Sequence, residues 1–141
     1  MSLMLSVALP VWHTVARRER EEELIFRGNQ YVRAIELFQR KYAGTFPPNV
    51  DALLQGRFLR RRYLDPITND EFQVLYAGIP TATTRRGTPA VEVSTNGRRG
   101  ILGVASRSRD TSLRLYRGRN RYSEWLFVAE TQQTEGHSVT R

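Results

Sequence analysis

The chain opens with MSLMLSVALPVW, which is almost wholly apolar, and turns within a few residues into the charge run Arg17-Arg18-Glu19-Arg20-Glu21-Glu22-Glu23. A hydrocarbon core ~30 Å thick asks for ~20 apolar residues in a helix, so a run of this length does not span it alone. No basic segment precedes the run and no small-x-small cleavage site follows it, which makes it a poor signal peptide. Three readings fit: a buried core helix, a helix lying on a surface, or the tail of a longer membrane helix that begins before Met1.

The next segment decides how the run is carried. Residues 14–42 contain no proline, and Gly28 is their only glycine. Leu24, Gly28, Tyr31, Ile35, Phe38 and Tyr42 are spaced four, three, four, three and four apart, which draws one stripe along a helix. Ile25 and Val32 widen it. Opposite charges four apart support the same helix: Glu23 with Arg27, Arg17 with Glu21, Arg18 with Glu22. Helix is therefore expected from residue 3 to residue 42, ~60 Å at 1.5 Å per residue. That is longer than a domain of this size, so one end must project, and it is the apolar end. Pro10 should kink or loosen the turn before it. Gly28, inside the stripe, either admits a close approach or is a tolerated weakness.

Ala43-Gly44-Thr45-Phe46-Pro47-Pro48 ends the helix, with Gly44 suited to a left-handed cap. Asn49 reads as the N-cap of a short helix, residues 50–55, closed by Gly56. Asp65-Pro66-Ile67-Thr68-Asn69-Asp70 reads as a turn. Periodicity then becomes twofold, with Phe72, Val74 and Tyr76, then Val91 and Val93, then Leu113 and Leu115 alternating with other residues. The run from Trp125 to Ala129 is a further strand. Asn96-Gly97 signals a turn within a longer loop, residues 81–89 a polar loop, and residues 132–141 a flexible tail. The order gives an α+β fold, a long N-terminal helix packed on an antiparallel β-sheet. Its parts are an apolar remnant at 1–13, a globular domain at 14–130 that includes the long helix 14–42, and the tail from 131.

The net charge is +8, from 22 basic and 14 acidic residues, and every basic residue but Lys41 is arginine. Such a surface suits nucleic acid, anionic lipid or an acidic protein. Arg60-Arg61-Arg62, Arg107, Arg109, Arg117, Arg119 and Arg121 are interleaved with Phe58, Tyr63, Tyr116 and Tyr122, which keeps an Arg-rich nucleic-acid-binding module as the alternative reading. With no cysteine there is no disulfide or thiolate metal site. His13 and His137 have no ligand partner at helical spacing. Asp65, Asp70 and Glu71 form the best carboxylate cluster, but their spacing fits turn formers rather than a calcium loop. No phosphate-binding glycine loop or nucleophile elbow is present. The chain reads as non-enzymatic, with no cofactor, no metal and no small-molecule substrate.

Several motifs together resemble the pseudopilins of type II secretion and their type IV pilin relatives. They are Leu9-Pro10, Glu22-Glu23-Leu24, Tyr42-Ala43-Gly44-Thr45-Phe46-Pro47, Val50-Asp51-Ala52-Leu53-Leu54 and Leu64-Asp65-Pro66-Ile67-Thr68, in that order. Gly103-Val104-Ala105-Ser106-Arg107-Ser108 and Tyr122-Ser123-Glu124-Trp125-Leu126-Phe127-Val128 follow. The likeness covers roughly residues 5 to 129. It implies a structural subunit, anchored in the bacterial inner membrane with a periplasmic head, whose partners are other pseudopilin or pilin subunits and an inner-membrane assembly platform. It also implies that residues 1–12 are the second half of the family's membrane helix; the peptidase site and the acidic residue beyond it have no counterpart here. Pattern and resemblance assign Leu3, Leu5, Val7, Ala8, Leu9 and Pro10 to lipid or neighbouring helices. They assign Leu24, Tyr31, Ile35 and Phe38 to holding the helix on the sheet, and Trp125 and Phe127 to the sheet's core face.

Overall fold

A computed structural model describes residues 5–78, 93–94 and 100–130. Leu3, Val91, the 81–89 loop, the Asn96-Gly97 turn and the 132–141 tail lie outside the described residues. Helix α1 runs from Leu5 to Lys41, 37 residues, or ~56 Å. It continues across Pro10, which lies in its second turn. Its buried face is Glu21, Leu24, Gly28, Tyr31, Ile35 and Phe38, so the stripe starts one step earlier than its apolar members suggest. From Val11 to Val15 every side chain is exposed, with Trp12 at 72 %. The helix is thus packed from Glu21 onward, while Val11, Trp12 and Val15 stand exposed.

The helix ends by a backbone device. The Gly44 N–H donates to the Gln39 carbonyl at 2.8 Å, the long bond of a Schellman turn. Gly44 has positive φ as expected, but so does Ala43, at 51°. A Cβ in that region is a steric cost that glycine avoids. Ala43→Gly is therefore expected to raise the urea midpoint, by a stability gain of about 1 kcal/mol. Helix α2, Val50–Gln55, is capped by Asn49, whose side chain accepts from the Ala52 N–H. Gly56 closes it in right-handed geometry, and Arg57 takes the positive φ that follows.

Four strands form the sheet against which α1 packs: β1 (Gln73–Ala77), β2 (Val93–Ser94), β3 (Ile101–Ala105) and, later in the chain, the strand Phe127–Val128, numbered β6. The order is β2-β1-β3-β6 and every pairing is antiparallel. Beside it stands a two-stranded hairpin, β4 (Thr111–Tyr116) and β5 (Arg119–Arg121). Strand β3 is buried at all five positions. Its pairing with β1 skips Leu102: Leu75 faces Gly103 and Tyr76 faces Ile101. The extra residue is a bulge. It brings both Ile101 and Val104 into the cluster under the helix, and it frees the Leu102 carbonyl for the Ala129 N–H at 2.9 Å.

Leu24, Tyr31, Ile35, Phe38, Trp125 and Phe127 are all buried in one cluster. Their partners differ in detail. Tyr31 meets Tyr63 and Phe72 edge to face and donates to the Tyr63 carbonyl at 2.9 Å. Phe38 packs on Tyr42 and on Phe58, just beyond α2. Trp125 is wholly buried but precedes its strand. It caps a 3-10 turn, Tyr122–Glu124, and sits between Tyr116 and Tyr122. Phe127 is in the strand and lies over Gly28: a Cβ built on that glycine would be 2.4 Å from the Phe127 Cγ. Gly28 is therefore the socket that sets the distance between helix and sheet.

Candidate functional site

The exposed stretch of α1 joins its packed stretch at Arg17 and Glu21. Glu21 occupies the first buried position of the stripe and is 0 % exposed. Its Oε1 accepts from the Tyr122 hydroxyl at 2.7 Å and from the Leu113 N–H at 2.6 Å. Its Oε2 is buried and accepts no hydrogen bond among the described residues. Arg17 donates through Nε to the Tyr122 hydroxyl at 3.3 Å and through its terminal nitrogen to the Thr111 carbonyl. Arg17 and Glu21 thus both turn to Tyr122 and the hairpin instead of forming the expected pair along the helix. Glu22 faces Arg114 at 3.9 Å rather than Arg18, while Glu23 and Arg27 pair at 2.7 Å as expected.

This node ties the hairpin to the root of the projecting helix. Burial raises the pKa of Tyr122, its bond to Glu21 adds to the shift, and Arg17 opposes it. Burial likewise raises Tyr31. A raised tyrosine pKa means that the unfolded chain loses its proton first as pH climbs. The stabilisation is therefore complete below the unfolded value, about 10, and is lost as pH rises through the folded value. Urea midpoints are expected to hold level up to about pH 10 and to fall above it. Tyr122→Phe, measured over the same range, should fall less steeply.

The hairpin is the most basic element of the chain. Residues 107–121 hold six arginines and one aspartate. Arg117 and Gly118 both have positive φ, the two-residue turn that suits a twisted hairpin. Pairing occurs only at the ends, Thr111 with Arg121 and Tyr116 with Arg119. Four residues of β4, 112–115, therefore face the single Asn120. The surplus bows outward. Leu113 is 46 % exposed and Leu115 69 %, while Tyr116 packs inward on Trp125 and Phe127. The strand expected around Leu113 and Leu115 is present, but its alternation is not: Leu113, Arg114 and Leu115 are all exposed.

The aromatic residues that flank arginines in sequence do not form a platform. Tyr63 and Tyr122 are buried, Phe58 packs on Phe38, and Tyr116 packs on Trp125. The carboxylate cluster is also dispersed. Asp65 is buried, its Oδ1 accepting from the Ile67 N–H and its Oδ2 from the Ser106 hydroxyl. Asp70 accepts from the Glu71 N–H, and Glu71 pairs with Arg62. The Asp65–Ser106 bond fastens the 65–70 turn to the end of β3, joining two motifs that lie 41 positions apart in the chain. An open cleft of about 450 Å³ separates this turn from α1 and is lined by Glu19, Arg20, Glu23, Arg27 and Asn69. Charges of both signs leave it without a preferred ligand.

Sequence reasoning missed the node and the outward leucines. The phase of the stripe carries a signal for the first: Glu21 stands three residues before Leu24, where an apolar residue belongs. No signal announces the bow in β4. No family model matches the chain, and no curated protein or solved structure matches it. Among the described residues, no helix is long and apolar enough to cross a membrane.

Proposed function

We propose that this chain is a structural subunit of a type II secretion or type IV pilus-like filament. In this reading its head lies in the periplasm and the apolar end of α1 is held in the bacterial inner membrane. One observation carries the reading. A single helix is fixed to the head by Leu24, Tyr31, Ile35 and Phe38, and the same helix leaves Val11, Trp12 and Val15 exposed, with nothing among the described residues to cover them.

An exposed apolar end of this kind is stable in lipid or against other helices, not in water. Lipid gives helices no hydrophobic drive to leave it, so assembly must replace lipid contacts by close side-chain packing. Leu5, Val7, Ala8 and Leu9 supply small and branched apolar residues for both settings. Trp12, at the junction with the charges, suits the membrane–water boundary, where its ring is half apolar and half polar. Other subunits of the same kind and an inner-membrane assembly platform are the partners this reading requires.

The chain has no cysteine, which makes a clean test possible. Single cysteines at Leu5, Val7 and Leu9 of the full chain, expressed in bacteria, are expected to fractionate with membranes and to cross-link between copies on oxidation. A chain that stayed in the soluble fraction, with no cross-link at any of the three positions, would overturn the proposal.

A further inference from the structure

We propose that the β4–β5 hairpin of one copy docks on the exposed ridge of α1 in the next copy. The inference rests on the filament reading and names the surfaces that such a filament would use. The hairpin offers Leu113 and Leu115, bowed outward, beside Arg117, Arg119 and Arg121, all exposed. The ridge is its complement. Val15 and Phe26 are eleven residues apart, three helical turns, so they lie on one line along α1. Both are exposed, Phe26 at 52 %. Glu19 and Glu22 stand between them on the same line and are also exposed.

Phe26 is one turn above Glu22, ~6 Å, and Glu19 is ~4.5 Å below that. On the hairpin, Leu115 adjoins Tyr116, whose cross-strand partner is Arg119, and Arg121 lies at the far end opposite Thr111. Arg119, paired with Tyr116, shares that residue's face and Leu115 lies on the other; seating Leu115 on Phe26 brings the exposed Arg119 and Arg121 to Glu22 and Glu19 from the hairpin's edge. Within one chain this match is barely used: the nearest approach is Arg114 to Glu22 at 3.9 Å, with both side chains largely exposed. Two different patches meet, so a pair keeps one free ridge on one copy and one free hairpin on the other, and the contact can repeat.

An anionic lipid surface also matches arginines with leucines, but the placement disfavours it. Tyr116, at the turn end of β4, packs on Phe127, which covers Gly28. Gly28 is ~24 Å along α1 from Trp12. The hairpin turn thus points away from the apolar end of the helix, not toward it.

The test uses two full chains in detergent, one carrying Leu115→Cys and the other Phe26→Cys, mixed and oxidised. A mixed disulfide is expected in large excess over either homodimer. Arg119→Glu with Arg121→Glu on the first chain should abolish it, and Glu19→Arg with Glu22→Arg on the second should restore it. Circular dichroism and urea midpoints equal to the parent's confirm that each variant is folded. No mixed disulfide, or one indifferent to the charge reversals, overturns the inference. So does a reversal that spares the disulfide but removes binding to phosphatidylglycerol vesicles or to DNA. The two proposals fail separately: cross-links at Leu5, Val7 and Leu9 without the Leu115–Phe26 pair would sink this contact and leave the filament reading standing.

Discussion

Replacing Phe127 with alanine is expected to lower the free energy of unfolding by about 3–5 kcal/mol, the range for removing a large aromatic from a close-packed interior. The ring is 1 % exposed, touches Tyr116 and rests on the bare backbone of Gly28. Gly28→Ala probes the same contact from the other side. Its methyl would sit 2.4 Å from the ring's Cγ and 2.5 Å from its Cδ2. Alanine gains about 1 kcal/mol of helix propensity over glycine, so in an open helix it would stabilise. Here the overlap should outweigh that gain and leave a net loss of about 1–3 kcal/mol. The two changes share one contact, so the double variant should cost less than their sum. Denaturant unfolding of the three variants gives the comparison directly. A stabilising Gly28→Ala would mean that the helix does not sit on Phe127.

The second large effect is expected at Glu21. Glu21→Ala strands the buried Tyr122 hydroxyl and takes the acceptor from the part-buried Leu113 N–H. The stranded hydroxyl costs roughly 1–3 kcal/mol, and the Leu113 N–H, open to water, less. The loss should be local before it is global, because the node is what fastens β4 to α1. Amide exchange at Leu113 is expected to lose its protection while exchange in β3 stays near the parent's, less the shift in global stability. Glu21→Gln keeps an acceptor for both donors and removes a buried charge, so it should cost about 1 kcal/mol or less. If alanine and glutamine proved equally mild, Glu21 would not be holding the hairpin.

How much of this was legible beforehand depends on how each element meets the core. Helix α1 was legible to within a few residues, because one face packs and the other does not, and the stripe at Leu24, Tyr31, Ile35 and Phe38 records that. The caps at Asn49 and Gly44 follow from local backbone chemistry. Strand β3 was not read as a strand, although it is central. Buried on both faces and bulged at Leu102, the segment Ile-Leu-Gly-Val-Ala has no alternation to read. Gly103 adds a constraint that sequence cannot show: a Cβ there would meet the Phe127 carbonyl oxygen at 2.0 Å. Trp125 was rightly placed in the interior and wrongly placed in a strand, since a buried aromatic after a tight turn looks the same in sequence. Glu21 and Tyr122 were invisible as partners because they lie 101 positions apart. The outward leucines reflect a mismatch in strand length that only pairing reveals.

The two tryptophans give the most direct test of the central claim, that α1 is buried along one half and exposes Val11, Trp12 and Val15 ahead of it. Trp12 is 72 % exposed and Trp125 wholly buried. In the full chain with Trp125→Phe, Trp12 is the only indole. Its emission should be red-shifted and quenched by acrylamide in buffer, then shift to the blue and become quenchable by brominated acyl chains once lipid vesicles are added. In the reciprocal Trp12→Phe chain, Trp125 should be blue-shifted throughout and indifferent to acrylamide and to lipid. A Trp12 that is already blue and shielded in buffer, and that does not respond to lipid, would contradict the account.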